Sequence, residues 1–299
     1  MNNLTICIPM YQSNFNYLKQ AVQSVLDQSN PNWQLVLVDG SPKPQLHVQK
    51  WLTELNNLNI QYVINKNDRT MAGNWNYAIN KSQTELVTLL HDDDKLSSLY
   101  VDKMLKFANN VPNSTAYFCD VMLIDHNNKS TWTVADSIKN LIRPKGHQIT
   151  LQGDMGLSQL LKGTFIFCPT LCYRKSKLAE LPFNNKWQMV ADLDFYINTL
   201  LKGDQLTGVN DKLYYYRRHN QNQTTKLTNT LQRFEEEVNI YTQIEQKAIN
   251  YGCNNWRNSK KTAKKMRIIK LHLHFEMLKK LITFNFKAFI KITKFYWQL

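Results

Sequence analysis

Short apolar runs alternate with helix-period stretches through the first hundred residues. Residues 4–8 read as a strand closed by Pro9, and Asn14 then precedes Leu18, Val22, Val25 and Leu26, which share one helical face. A second apolar run, 33–38, ends at the turn Asp39-Gly40-Ser41-Pro42. A helix over 46–55, a strand at 60–64, a loop at 65–73 and a short helix at 74–80 follow. The fourth strand, 86–90, runs into His91-Asp92-Asp93-Asp94. Beyond it, Ser97 or Ser98 is placed to cap a helix carrying Val101, Met104, Leu105 and Ala108, and 116–124 reads as a further strand. Residues 125–152 turn polar and irregular, which predicts a loop-rich insertion over the site's mouth. Strand character returns at 163–173. Leu193, Ile197, Leu200 and Leu201 then recur at helical spacing within 186–203, and 214–219 forms a last strand leading into 220–225. Leu231, Phe234, Val238, Tyr241 and Ile244 make an apolar stripe that predicts a helix over 226–250.

Strands alternating with helices predict an α/β fold with a mostly parallel, doubly wound sheet. Ligands of such sheets lie outside the carboxyl ends of the strands, so Tyr11, Asp39 and Asp92 to Asp94 should converge in one crevice. Three adjacent carboxylates repel one another. A hard divalent cation, Mg²⁺ or Mn²⁺, shared with phosphate oxygens relieves that repulsion, whereas a solvated acidic turn is the plainer reading. Asp39 suits the imide N–H of a uracil or thymine base, and Tyr11 suits its face. Either side chain also fits an ordinary turn. Arg69 reads as a phosphate or base contact, or as a surface cation. Asp192 lies near the start of its helix, where it either serves the helix dipole or takes a proton from an acceptor hydroxyl. Arg217 suits phosphate, and His219 suits metal or phosphate.

Charge divides the chain. Of a net +14 over 299 residues, +11 falls in the last 44, where twelve Lys/Arg face the single acid Glu276. Leu278, Ile282, Phe289, Ile292 and Tyr296 can share one face there, with Lys280, Lys287, Lys291 and Lys294 toward another, and Trp297 near the end. A basic amphipathic helix of this kind suits an anionic membrane surface, or else covers the body or a partner subunit. No uncharged apolar stretch approaches the ~20 residues of a membrane span. A strand so near the N-terminus leaves no signal peptide, so the expected place is the cytoplasm, at the inner face of its membrane. Five cysteines, mostly within apolar runs, read as small core residues. Cys168 and Cys172 have a metal-compatible spacing, but no second pair completes a zinc site.

Taken together, seven ordered segments resemble the family 2 inverting glycosyltransferases of GT-A fold, of the bacterial surface-polysaccharide or lipooligosaccharide type. They are Ile8-Pro9-Met10-Tyr11, Ser24-Val25-Leu26-Asp27-Gln28, Val38-Asp39-Gly40-Ser41, Ala72-Gly73-Asn74-Trp75-Asn76, His91 to Asp94, Ala191-Asp192 and Tyr216-Arg217-Arg218-His219. The resemblance implies a glycosyltransferase domain over 1–225, with a nucleotide-sugar half (1–125) and an acceptor half (126–225). A helical extension, 226–299, becomes basic and amphipathic from 256. By match, Pro9, Tyr11, Asp39, Arg69, Asn74, Asp92, Asp93 and Arg217 hold the donor; Asp94, Asp93 and His219 hold the metal; Asp192 is the base. Two departures matter. His91 replaces the first acid of the usual Asp-x-Asp-Asp, leaving the ligand among Asp92, Asp93 and Asp94 open, and Ala191 replaces the Glu before the base, leaving Asp192 against Asp194 open.

The implied reaction is metal-dependent transfer of one hexose or N-acetylhexosamine from a nucleotide sugar, a UDP-sugar foremost, to a glycan or lipid-linked glycan, with inversion. The Gln-x-x-Arg-Trp signature of processive synthases is missing, which implies one sugar per encounter. Two other classes compete. A nucleic-acid- or membrane-binding protein with a degenerate, non-catalytic domain would use the basic aromatic tail, but the body is nearly neutral and its converging acids repel nucleic acid, so no nucleic-acid partner is expected. A sugar-nucleotidyltransferase would open with a Gly-rich phosphate loop, which Pro9-Met10-Tyr11-Gln12 is not. Self-association is left open.

Overall fold

Along β1 (Leu4–Met10) and β2 (Trp33–Asp39) successive side chains leave opposite faces of the sheet, and both sets are buried. In the computed structural model, Leu4, Ile6, Ile8, Leu35 and Leu37 enter one core with α1 (Phe15–Leu26) and α2 (Leu46–Glu54). Cys7, Val36 and Val38 enter the other with α3 (Met71–Lys81). The structure describes residues 3–180, 182–219, 227–228 and 230–299, with only the backbone at Ala135.

β3 (Ile60–Ile64) and β4 (Leu86–Leu89) complete a parallel block of order β3-β2-β1-β4. The sheet continues through β8 (Cys172–Arg174), antiparallel to its neighbours, to β6 (Ala116–Ile124) and β9 (Gln205–Arg217), which pair in parallel. β5 (Lys95–Leu96) and β7 (Gln148–Gln152) both pair antiparallel with β9. Met10 is level with Asp39, and Asp39 with Ile64, so the three strands end side by side as a doubly wound sheet requires.

Local signals set most boundaries. The Asn14 side chain accepts from the N–H of Asn16 and Tyr17, and Thr70 from that of Gly73, so α1 and α3 start at capped ends. α4 (Tyr100–Asn110) differs from expectation: Leu99 is its N-cap and no side chain caps it, because Ser97 instead folds the turn between β5 and the helix, its hydroxyl accepting from Leu99 N–H. The insertion is more ordered than its polarity suggests. It holds α5 (Val134–Ile142), capped by Thr133, and β7, where Ile149 and Leu151 alternate inward from a polar strand. The strand expected over 163–173 shrinks to β8 because Pro169 imposes a 3-10 turn, Cys168–Thr170, on its middle. α6 (Gly153–Leu161) and α7 (Ala191–Leu201) lie on the same face as α3.

The stretch 220–225 expected after the last strand lies outside the described residues. Beyond it the single helix expected over 226–250 is α8 (Gln232–Thr242) followed by α9 (Ile244–Asn250). The basic segment is three helices, α10 (Arg257–Lys265), α11 (Arg267–Ile282) and α12 (Phe286–Tyr296). Phe234, Ile240, Ile269, Leu273 and Ile292 belong to the same core as α3 and α7, so the extension packs on the body. Ile292 is therefore buried while Leu278 and Ile282 are exposed: they do not share the face that a single helix would give them. All five cysteines are free, and burial pushes the thiols of Cys7 and Cys172 up to about 12, as inert core residues. No described helix is long and apolar enough to cross a membrane.

Candidate active site

Leu90 N–H continues the ladder onto Cys7 carbonyl, and Asp94 N–H then bonds back to His91 carbonyl, folding the acids into a tight turn at the carboxyl end of β4. Each acid faces a different partner. Asp92 accepts from the hydroxyl of Ser13, on the turn that follows β1. Asp93 lies 2.8 Å from His219 Nε2. Asp94 is buried and accepts from Tyr214 hydroxyl at 2.9 Å and from Arg217 N–H at 2.7 Å, with His91 Nδ1 3.7 Å away. The last residues of β9 thus close over the turn.

Burial first, and the charge of Asp93 second, push Asp92 up to about 7 and Asp94 well above the carboxylate range. Burial works against Asp93 too, but the hydrogen bond from His219 and the nearby imidazoles outweigh it and hold that carboxyl below its ordinary value. Burial also lowers His91, whose ring stacks on Trp75 at 5.9 Å and so is kept neutral and able to ligate. Among the described residues, donor atoms of His91, Asp93 and Asp94 lie within 4.8 Å of one another. One neutral imidazole, one ionised carboxylate and one buried carboxyl with raised proton affinity, crowded together, fit a divalent cation, which would replace the proton that Asp94 otherwise needs.

Among the described residues that group contains His91 and not His219, whose Nε2 is paired with Asp93. Arg217 is fully buried, and its guanidinium donates to the carbonyls of Asp93 (2.7 Å) and Asp125 (2.9 Å) and to the side chains of Gln20 (2.9 Å) and Asn128 (2.8 Å). These four contacts go to the chain around the acids.

The residues expected at the base gather at the ends of β1 and β2. Asp39 is buried and accepts from Ser41 N–H at 2.8 Å, Gln45 N–H at 2.6 Å and Tyr62 hydroxyl at 2.5 Å. Burial alone would raise it, but these donors hold it low and ionised. Tyr11 is 55 % exposed beside it, and Gln12 adopts a left-handed φ of 51° with its N–H on Ser41 hydroxyl. Pro9 lies within β1, opposite Val38 and one residue before the strand's end. Arg69, half-buried, donates from Nε to Asn65 carbonyl. Asn74 is turned inward and ties the ends of β1 and β2 together through the carbonyls of Met10 (3.2 Å) and Val38 (3.4 Å). A side chain at Gly40 would come within 2.9 Å of it, so glycine is needed there.

At the other side of the crevice, α7 begins with Asp192 and Asp194. Asp194 is buried in an ion pair with Lys247 of α9 at 2.8 Å. Among the described residues the Asp192 side chain accepts from its own neighbour, Leu193 N–H; burial raises its affinity for a proton, and the charges of Lys139 and Arg233 oppose this. Lys139, on α5, lies 3.9 Å over the ring of Phe167, and α5 is held to the end of β9 by an Asp136–Arg218 ion pair of 2.5 Å.

Several residues escaped sequence reasoning. Glu236 of α8, nearly buried, accepts from the N–H groups of Gln188, Met189 and Val190, the loop that leads into α7. It lies in an ordinary helical charge pattern, with no local signal. Ser13 and Gln45 gave none either, whereas Tyr214 was visible in the Tyr214-Tyr215-Tyr216 run.

The family model for glycosyl transferase family 2 matches residues 5–181. The chain belongs to that family. It is a glycosyltransferase, and its fold is the GT-A arrangement that the motifs implied. It is 23 % identical over 216 residues, 72 % of this chain and 78 % of the relative, to TuaG of Bacillus subtilis (strain 168), named as a teichuronic acid biosynthesis glycosyltransferase. It is 34 % identical over 95 residues, 31 % of this chain and 34 % of the relative, to WcaA of Escherichia coli K12, named for colanic acid biosynthesis. The crystal structure of residues 1–349 of S. aureus TarS in complex with UDP-GlcNAc superposes with a TM-score of 0.62 at 13 % identity, over 99 % of this chain and 92 % of that one. In a longer TarS structure the match spans only 39 % of that chain, at a TM-score of 0.55.

Proposed function

We propose that this protein transfers a single hexose or N-acetylhexosamine from a UDP-sugar to a hydroxyl of a glycan or lipid-linked glycan, with inversion, in bacterial surface-polysaccharide synthesis in the cytoplasm. The observation that carries the proposal is the pairing of two acidic sites of opposite character. One is the His91, Asp93, Asp94 cluster at the carboxyl ends of the parallel strands, and the other is the unpaired Asp192 at the start of α7. The names of TuaG and WcaA support the pathway class, and the UDP and UDP-GlcNAc complexes of TarS support the donor.

In this reading the ionised carboxylate of Asp39 takes the imide N–H of the base and Tyr11 lies against its face. His91, Asp93 and Asp94 would hold Mn²⁺ or Mg²⁺, which when bound would supply charge neutralisation for the departing diphosphate. His219 keeps Asp93 ionised and oriented. Asp192 accepts the proton of the acceptor hydroxyl as that oxygen attacks the anomeric carbon, and one displacement on one face inverts configuration. Its raised proton affinity suits a base that works near neutrality.

Release of free nucleotide from UDP-, GDP-, TDP- and CMP-sugars, with Mn²⁺, Mg²⁺ or EDTA, tests this. One UDP-sugar should turn over, with metal, and the activity should vanish in Asp94→Asn and Asp192→Asn. Turnover indifferent to EDTA, or unchanged in Asp192→Asn, would overturn the assignment.

A further inference from the structure

We infer that the tip of the α11–α12 hairpin docks on the anionic face of a lipid bilayer. The two helices are clasped near their far ends by His274 against Tyr296, with ring centroids 4.5 Å apart, and by Thr293 hydroxyl donating to Met277 Sδ. One side of the hairpin is committed to the body through Ile269, Leu273 and Ile292. The other side is not covered. On α11, Leu271, Phe275, Leu278 and Ile282 recur at spacings of four, three and four, a continuous helical stripe, and all four are exposed. Residues 281–287 at the tip are exposed without a break; Ile282 is 67 % and Phe284 79 % accessible. An apolar stripe ending in an apolar turn is a surface that water does not favour.

Charge decides the occupant. Lys279, Lys280 and Lys287 flank the tip, and among the described residues Lys279 and Lys287 make no ion pair. The only acid of the segment, Glu276, is turned inward and nearly buried. A second copy meeting the same face would bring these lysines against their own kind, and the nearly neutral body offers no concentrated acidic counterpart. An anionic bilayer complements both features, taking the apolar turn below the headgroups and the ammonium groups at their level. With no described helix able to span, the protein would lie on the membrane rather than cross it. The inference stands on the extension alone, and donor turnover without lipid is measured independently of it.

The experiment is flotation of the full chain with vesicles of phosphatidylcholine, alone or with phosphatidylglycerol, at low and high salt. Wild type should partition at least about tenfold more strongly to the anionic vesicles, less so as salt rises. Ile282→Asp/Phe284→Asp and Lys279→Glu/Lys287→Glu should each lose that gain while releasing nucleotide at the wild-type rate. Phe284→Ser, a truncation at an exposed turn that gives up an edge contact with Phe286, should weaken flotation even if the harsher variants fail to fold. Equal partition to both vesicles, flotation indifferent to these variants, or a sedimentation-detected dimer that Ile282→Asp/Phe284→Asp dissociates while wild type ignores vesicles would overturn the inference.

Discussion

Lys247 Nζ lies 2.8 Å from Asp194 Oδ1 and 2.9 Å from Asn198 Oδ1, so the second of the two acids at the start of α7 is neutralised from outside the crevice. Among the described residues Asp192, two residues earlier, makes no ion pair, and this difference favours it as the proposed base. Asp192→Asn should lower kcat by about 10²–10⁴-fold with thermal stability retained. Asp194→Asn should instead leave the chemistry in place and reduce unfolding free energy by about 2 kcal/mol, because a buried charged hydrogen bond is lost. Steady-state kinetics and urea unfolding of the two variants separate these effects.

Glu236 ties the extension to the base. Its carboxylate collects three consecutive N–H groups immediately before α7. Glu236→Ala strands those donors and lets the loop shift, which moves Asp192 relative to the acceptor. The expected result is a fall in kcat of about tenfold with little change in the donor KM, since the donor residues lie on other elements. Glu236→Gln keeps an acceptor oxygen and should recover much of the loss. A proportional rise in donor KM would argue against a positioning role.

Lys139 gives a pH signature. Burial and the neighbouring charge of Arg218 lower its own pKa to about 8, yet its charge is among those drawing Asp192 downward. A base works only when ionised, so activity is lost as pH falls through the pKa of Asp192. Because burial raises that pKa, the acid limb of kcat should lie above the ordinary carboxylate range. Lys139→Met removes an opposing charge, raises Asp192 further and should move the limb to higher pH. A limb that moves the other way, or stays, would detach Lys139 from the base.

In the proposed metal set His219 would act through Asp93, with which it is paired. Replacing it with alanine should weaken activation by Mn²⁺ by about 10–100-fold, as loss of an orienting partner does, while saturating metal restores most of kcat. His91→Ala should not be rescued in this way, since it removes a ligand of the set. Metal titrations of nucleotide release distinguish the two histidines.

Much of this protein was legible before its tertiary structure. Period and punctuation are local properties, so the order of strands, the capped start after Asn14 and the acids at the end of β4 could be read from neighbours in the chain. Convergence of Tyr11, Asp39 and Asp92 to Asp94 followed from the topology rule for parallel sheets, because register in such a block aligns the strand ends. The exposed alternation of Gln148-Ile149-Thr150-Leu151-Gln152 was equally visible, but the polarity around it masked β7, an edge strand that needs only two inward side chains.

Contacts far apart in sequence were another matter. Whether Arg217 faces a ligand or the chain depends on Gln20, Asp125 and Asn128 arriving around it; which histidine can share a metal depends on the turn that carries His91 and the distance that remains for His219. Composition located the basic tail, yet a helical wheel drawn for one straight helix placed Ile292 beside Ile282, and the break at 283–285 put one inside and the other out. The sequence by itself determined the elements, the family and the roster of acids, since each is written in short-range pattern. Only the tertiary structure decided which acids are free to act, because a charge is quenched by partners that the chain brings from elsewhere.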